Sequence, residues 1–303
     1  MRTIILAGGF ATRLQPITLD RPKPLLPVAG KPIIDYILAS GPFPSRPIIS
    51  TNRRFVRQFE TWRGQSGWDV ELAVEETTSE QEKLGTVGAI AFLIERQKID
   101  EDLLVVAGDN IFEFSIEQLL SVYQGKPTIA LFDLKDPAVV QGRYGVIIVQ
   151  NGKIVDFQEK PQQPKSTLAS TACYVYPRQV LPLFNEFFSK SEAGKDAPGY
   201  FNEWLLKEKG WEIDPFIFET GWYDIGDRAS YIKAHQYYGN CETWQGRNVV
   251  IEDSTVNNSV ILDNTRILGA SIAGCVIDRD CDVQGVVLED CLVGGGGRIR
   301  RSP

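Results

Sequence analysis

Short apolar runs alternate with amphipathic stretches over the first two thirds of the chain. Arg2–Ala7, Pro47–Thr51, Val70–Val74, Leu103–Ala107 and Thr128–Leu134 are continuous enough to read as buried strands. Between them, Thr86–Gln97 and Ser115–Gln124 repeat their apolar positions at helical spacing. This alternation predicts an α/β fold with a doubly wound, mostly parallel sheet. Past residue 140 the strands crowd together. Val146–Val149 and Ile154–Phe157 flank Asn151-Gly152, the residue pair of a tight hairpin. Helical patterns return at Val180–Phe188 and Phe201–Lys207.

The pattern changes after Gly239. Asn240–Gly246 has no periodicity, and residues 239–248 are assigned as a linker between a large domain, 1–238, and a small one, 249–293. In the small domain Val250, Val256, Leu262 and Leu268 recur every six residues, as do Ile261 and Ile267. Small and polar residues such as Ser254, Asn264 and Gly269 fill the gaps. The register slips near Gly274 and resumes at Ile277 and Val283. A six-residue repeat predicts a short parallel β-helix of ~3 coils. A meander of short antiparallel strands is the competing reading. Residues 294–303, with Gly294–Gly297 ahead of Arg298, Arg300 and Arg301, read as a frayed tail.

Composition narrows the chemistry. The 303 residues hold 32 Lys and Arg against 39 Asp and Glu, a net charge of −7, with 43% hydrophobic and 23% charged positions. That is ordinary globular composition, and an acidic balance argues against a broad nucleic-acid footprint. No apolar run approaches the ~20 residues of a membrane span, and Ile4-Ile5-Leu6 is too short for a signal peptide. A cytoplasmic location is expected. The five cysteines form no C-x-x-C, so reduced thiols are expected. His235, the single histidine, sits in an aromatic-rich helical stretch and reads as packing. Multi-histidine metal centres are excluded, so any metal must rest on carboxylates, which favours Mg²⁺ with Mn²⁺ as a substitute.

The densest chemical signal lies at the start. Leu6-Ala-Gly-Gly-Phe-Ala-Thr-Arg-Leu-Gln-Pro16 takes a strand into a Gly-rich turn whose backbone N–H groups can form a nest for phosphate oxygens. Arg13 and Lys23 add fixed positive charge. Residues 1–31 hold three Arg and two Lys against one Asp, an inversion of the chain's overall sign. Pro22 and Pro24 stiffen the backbone around Lys23. The loop is neither a P-loop, lacking G-x-x-x-x-G-K-[S/T], nor a dinucleotide fingerprint, lacking the third glycine.

Gly8-Gly-x-Ala-Thr-Arg-Leu-x-Pro16 with Pro22-Lys-Pro24 closely resembles the signature of the sugar-1-phosphate nucleotidyltransferases, or nucleotide-sugar pyrophosphorylases. The resemblance runs from residue 1 to about 238. It continues through Leu84-Gly-Thr-Val-Gly-Ala89, Val106-Ala-Gly-Asp-Asn110, Arg143-Tyr-Gly-Val146, Phe157-Gln-Glu-Lys-Pro161 and Gly221-Trp-Tyr-Asp-Ile-Gly226, in the family's order. Many members carry a C-terminal left-handed β-helix of hexapeptide repeats, which matches 249–293.

The resemblance implies roles. Leu6, Ala7, Gly8, Gly9 and Thr12 would hold the nucleotide, with Gly85 and Thr86 facing base and ribose. Arg13 and Lys23 would carry the catalysis. Gly145, Glu159 and Lys160 would meet the sugar phosphate, and Asp109 and Asp224 would hold Mg²⁺. Taken alone, Asp109 could cap a helix, Asp227 could cap Arg228–Tyr238, and Glu159-Lys160 could be a surface charge pair. Glu75 could also reach the base, although Thr77–Lys83 reads as a local insertion. Two departures stand out: Ala11 replaces the usual Gly, and Ser170-Thr171-Ala172 replaces Asn-Ala-Gly.

The implied reaction joins an NTP and a sugar 1-phosphate into an NDP-sugar and pyrophosphate, leaning to GTP with mannose 1-phosphate over UTP or dTTP with glucose 1-phosphate. Expected partners are these small molecules and a second copy of the chain in a homo-oligomer, without nucleic acid or membrane. The alternatives are a non-catalytic regulatory subunit and a bifunctional enzyme with an acyltransferase β-helix.

Overall fold

The computed structural model describes residues 1–190 and 197–301. The chain divides into two compact units, Met1–Gly9 with Ile37–Trp222, and Phe10–Tyr36 with Tyr223–Pro303. The chain therefore leaves the first unit just after the Gly8-Gly9 turn, and returns to it within helix α1 (Ile33–Ala39).

The first unit is built on a nine-stranded mixed sheet. Its strands are β1 (Arg2–Leu6), β2 (Ile48–Asn52), β3 (Glu71–Glu75), β4 (Leu103–Ala107), β5 (Thr128–Asp133), β6 (Gly145–Gln150), β7 (Lys153–Glu159), β8 (Leu168–Tyr176) and β9 (Asp214–Phe218). β3, β2, β1 and β4 lie side by side and parallel. This is the doubly wound half that the apolar runs predict. Those runs are continuous rather than alternating because helices cover both faces of a parallel sheet. The other half turns on β8, which runs antiparallel to β4, β5 and β6, while β9 joins β5 in parallel. Asn151 and Gly152 both have positive φ, 51° and 75°, and make the tight β6–β7 turn.

The helices are α2 (Val56–Ser66), α3 (Gly85–Arg96), α4 (Ile116–Val122), α5 (Pro137–Val140), α6 (Leu181–Lys190) and α7 (Pro198–Lys207). α3 packs Val87, Ile90 and Leu93 against Ile4, Ile48 and Val105 of the sheet. In the same core Phe184 of α6 stacks on Phe201 of α7, and Phe187 meets Phe201 edge-on. Each such fully buried apolar side chain contributes about 1.5–3 kcal/mol. Ser115 closes α4 with a reciprocal capping box to Gln118.

In the second unit, α8 (Arg228–Gly239) precedes three parallel sheets that form a β-helix, consistent with the left-handed winding the family resemblance implies. Strand pairing corrects the period. Ile251 pairs with Ile267, Ile267 with Val283, and Val283 with Ile299, so a coil closes in 16 residues, not in three hexads. The core side chains Ile261, Ile267, Ile272, Ile277 and Val283 step by five or six. Between them, Asn248, Asp253, Asn258, Asn264, Gly269, Gly274, Asp280, Gly285, Asp290 and Gly296 all have positive φ, between 46° and 72°. Every corner is thus a left-handed residue, and Asn, Asp and Gly are the types that occupy that region at least cost. Hydroxyls tie successive coils. Ser259 Oγ accepts from Cys275 N at 3.0 Å, and Ser254 Oγ from Ala270 N at 2.9 Å.

Two boundaries differ from the sequence reading. Trp244–Gln245, inside the expected linker, pairs with Val260–Ile261 as the first strand of the stack. Arg298–Arg300, inside the expected tail, pairs with Asp282–Gln284 as its last. Both are too short to show periodicity, and pairing with the neighbouring coil stabilises them. All five cysteines are free thiols.

Candidate active site

In the first unit the candidate residues gather at the carboxyl ends of the parallel strands, where ligands bind in open α/β sheets. Leu6 ends β1, Ala7 N donates to Ser50 O at 2.8 Å, and Asn52 Nδ2 donates to Gly8 O at 2.8 Å. Asn52, at the end of β2, is wholly buried and also accepts from Phe55 N. It fixes the start of the glycine turn, a role no sequence motif announced. Glu75 ends β3 beside Gly8, its Oε1 3.1 Å from where a Cβ on Gly8 would lie. Ser50 Oγ donates to that oxygen at 2.7 Å. Glu75 is only 5% exposed, and burial raises its carboxyl above the usual range, the Ser50 bond opposing. Gly9 is exposed, with nothing near its open side.

Gly85 and Thr86 form the first turn of α3, Gly85 with a left-handed φ of 72°. Asp109 follows β4 and stands before the strand Asn110–Phe112, so it caps no helix. Its Oδ1 accepts from Asn110 Nδ2 at 2.8 Å, and Asn110 Oδ1 in turn accepts from Trp222 Nε1 at 2.7 Å.

Glu159 is held more tightly than its motif implied. Its side chain is 6% exposed, and its strand pairs Glu159 with Gly145. A Cβ on Gly145 would lie 3.0 Å from Glu159 Oε2, and one on Gly199 only 1.7 Å from it. The carboxylate is therefore seated between two positions that lack side chains. Gly199 lies in the first turn of α7 and escaped the sequence reading. Burial raises the Glu159 carboxyl; Lys160, 3.8 Å away, lowers it, and Glu203 raises it further. Lys160 is exposed and has a φ of 45°, with its N–H donating to Tyr144 O at 3.1 Å. A lysine in this region costs about 1–2 kcal/mol, the kind of strain that concentrates at functional positions.

In the second unit, Ala11 has φ 49° and ψ 48°, so the position usually held by glycine is indeed left-handed. The alanine costs about 1 kcal/mol there. Its carbonyl accepts from both Leu14 N and Thr18 Oγ1 at 3.0 Å, which over-determines the turn. Thr12 and Arg13 follow on a short 3₁₀ turn, and both are exposed. Arg13 Nη2 and Asp224 Oδ2 flank Gly226, 3.4 and 3.5 Å from where its Cβ would be. Asp227 caps α8, its Oδ1 accepting from Ser230 N at 2.8 Å. Asp224 is thus a carboxylate on the same side of Gly226 as Arg13. Lys23 opens a second 3₁₀ turn, Lys23–Leu25, led in by Pro22 and closed by Leu26 N donating to Lys23 O at 2.9 Å.

The stretch after Lys23 is fastened to α8. His235 Nδ1 accepts from Ala29 N at 3.2 Å and its Nε2 donates to Pro27 O at 2.8 Å. The Ala29 bond needs the neutral ring, because only an unprotonated Nδ1 can accept. Burial pushes its pKa down from 6.5 to about 3, the Pro27 bond opposing. The folded ring stays neutral where the unfolded one takes a proton, so this stability is whole above pH 6.5 and is lost as pH falls toward 3. Melting curves below pH 6.5 should show Tm falling, with a component of ~1.4 kcal/mol per pH unit that His235→Gln lacks. The opposite-signed uptake by Glu75 and Glu159 cancels between the two proteins. Equal slopes in both would remove His235 from this role.

Among the described residues no three or more His, Cys, Asp or Glu side chains group to hold a metal. No helix of the described residues is long and apolar enough to cross a membrane.

Comparison with known proteins converges on these elements. A putative mannose-1-phosphate guanyltransferase of Sulfolobus acidocaldarius is 29% identical over 241 residues, 76% of this chain and 61% of that protein. The bifunctional protein GlmU of Methanocaldococcus jannaschii is 26% identical over 268 residues, 88% of this chain and again 61% of the relative. This chain thus spans about six-tenths of the length of both. Mannose-1-phosphate guanylyltransferase 1 of Arabidopsis thaliana is 27% identical, with 99% of this chain and 83% of that protein covered. A crystal structure of a putative glucose-1-phosphate thymidylyltransferase from Bacillus anthracis, in complex with a sucrose, superposes with a TM-score of 0.65 at 27% identity, covering 78% of this chain and 94% of that one. The family model described as Nucleotidyl transferase matches residues 2–240, which takes in every candidate residue from Leu6 to Asp224, and the chain belongs to that family.

Proposed function

We propose that this chain transfers a nucleotidyl group from an NTP to a sugar 1-phosphate, releasing pyrophosphate. The observation that carries the reading is the Leu6–Arg13 loop. It leaves the carboxyl end of β1 with no side chain at Gly8 or Gly9 and leads directly to an exposed arginine. A sugar-phosphate oxygen attacks the α-phosphorus, and the bond to the bridging oxygen of pyrophosphate breaks. The nucleophile is already an anion, so no general base is needed. Catalysis consists of positioning and charge neutralisation.

The roles follow the family resemblance. Leu6, Ala7, Gly8, Gly9 and Thr12 cradle the nucleotide, and Arg13 holds the β- and γ-phosphates. Lys23 neutralises the α-phosphate and the leaving charge. Gly85 and Thr86 face the base and ribose. Gly145 and Glu159 receive the sugar, and Lys160 brings in its phosphate. Asp109 and Asp224 are the proposed protein ligands of Mg²⁺. Two carboxylates, completed by phosphate oxygens and water, match the way Mg²⁺ is usually bound. When bound, the ion would neutralise charge on the nucleotide phosphates.

Guanine is the base this chain suits best. A carboxylate such as Glu75 can accept two N–H donors at once, as guanine's N1–H and N2–H₂ edge offers, whereas uracil and thymine place one N–H between two carbonyls. The long alignments to proteins named mannose-1-phosphate guanylyltransferases support mannose 1-phosphate as the acceptor. UTP or dTTP with glucose 1-phosphate is the second reading, favoured by the name of the Bacillus anthracis structure.

Pyrophosphate release should be measured with Mg²⁺ over ATP, GTP, CTP, UTP and dTTP, each with several sugar 1-phosphates. GTP with mannose 1-phosphate is expected to exceed the next pair about tenfold or more in kcat/KM, ~1.4 kcal/mol of transition-state preference. Nucleotide binding with no release from any pair would sink the catalytic reading in favour of a regulatory subunit.

A further inference from the structure

Within the second unit, the β-helix grips the segment that carries the two catalytic cations. Arg21 Nη2 donates to Asp278 Oδ1 at 2.7 Å, with the two side chains 13% and 1% exposed. Arg279 Nη2 donates to Asp20 Oδ2 at 3.0 Å. The coil backbone at Gly294 runs against Pro16, whose Cβ lies 3.0 Å from where a Gly294 Cβ would be.

Asp278 is itself held from several sides. Its backbone N donates to Val293 O at 3.0 Å, its carbonyl accepts from Thr265 Oγ1 at 2.9 Å, and its Oδ1 also accepts from Arg279 N at 2.8 Å. Arg21 Nε is buried without a hydrogen-bond partner, and Asp278 is the carboxylate its Nη2 is bonded to, with Asp263 adding a Coulombic pull. A fixed anion on one coil thus faces a cation on a loop, and Lys23 lies two residues further on. Downstream, His235 and Tyr231 secure the same segment at Pro27. Lys23 hangs between the two fastenings.

We propose that Asp278 is a positioning residue for nucleotidyl transfer, acting through Arg21 to set Lys23. The C-terminal coils are then part of the catalytic apparatus of their own chain. This rests on the role proposed for Lys23. The physical reason is that a buried ion pair stripped of one partner leaves a charge that must move toward water. Displacement of a catalytic group by about 1 Å can cost as much as ~100-fold in rate.

The test uses the full-length chain. Asp278→Asn and Arg21→Gln are each expected to lower kcat about tenfold, with KM for the sugar 1-phosphate within about twofold of wild type. The double variant should be no worse than either single one, because both remove the same link. Arg21→Lys keeps the charge and should retain most of the turnover. Amide exchange over Leu14–Leu26 should accelerate in Asp278→Asn while β4 stays protected. Additive losses, or an unchanged kcat per folded molecule, would overturn the proposal. Should Asp278→Asn fail to fold, the Arg21 variants decide, and equal losses in the Lys and Gln forms overturn it. If wild type turns over no substrate pair, exchange alone decides. Faster exchange over Leu14–Leu26 then sustains the positioning link while the reading of function fails, and unchanged exchange overturns both.

Discussion

Replacing Lys23 by alanine is expected to lower kcat/KM for pyrophosphate release at least ~100-fold, the scale of losing one donor aimed at developing charge. Lys23 begins a single 3₁₀ turn between two prolines, so its backbone loses little entropy on binding substrate. The segment is held in place by Tyr231 and His235 at Pro27 and by Arg21 at Asp278. A cation presented this rigidly costs no reorganisation at the moment charge moves from the α-phosphorus to the leaving pyrophosphate. Lys23→Arg keeps the charge but changes its shape and reach, and should recover only part of the rate. Single-turnover and steady-state rates of both variants decide the matter. A loss of tenfold or less in Lys23→Ala would remove Lys23 from the catalytic role.

Gly199→Ala is expected to cost about as much by a steric route. Its new methyl would fall 1.7 Å from Glu159 Oε2 and 2.8 Å from Phe157 Cε1. Phe157 is wholly buried and cannot yield, so the Glu159 carboxylate must leave its seat. A group moved by about 1 Å from its working position loses as much as ~100-fold. The loss should fall on the sugar 1-phosphate, with the nucleotide KM nearly unchanged. Glu159→Gln keeps the shape and tests the charge separately. An unaltered KM and kcat toward the sugar phosphate in Gly199→Ala would show that Glu159 does not meet the sugar.

These two residues mark how far the sequence could be read. The stiff basic turn at Lys23 was legible because its prolines and neighbouring arginines are local. The parallel strands β1 to β4 were legible because a strand covered on both faces is apolar throughout. Gly199 was not, because its lack of a side chain answers to Glu159, forty residues away in sequence. Asn52 was hidden in the same way by its bond to Gly8. The longest strand of the sheet, Leu168–Tyr176, escaped because polar Ser170 and Thr171 break its apolar run. Thr171 is nevertheless buried, its hydroxyl satisfied by Ala130 O, and Ala172 enters a left-handed bulge with φ 55°. In the coils, apolar spacing alone pointed to sixes. The corner residues Asn, Asp and Gly stepping by five, five and six were the sharper signal, because a left-handed φ restricts residue type more strictly than a half-buried strand does.

The sixteen-residue turn also makes the C-terminal stack a counted ruler. One residue added or lost within a coil would move every later Asn, Asp or Gly off its corner and turn inward side chains outward. Length can therefore change only in whole turns. Each turn advances the stack by one strand spacing, about 4.8 Å, and brings its own corners, its own inward apolar triplet and its own hydroxyl links to the turn before. Arg21 and Asp20 meet the stack at Asp278 and Arg279. A turn added beyond Ile299 would leave that grip unaltered. A turn added before Asp278 would not, since it would shift the gripping carboxylate by a full step relative to the loop it holds.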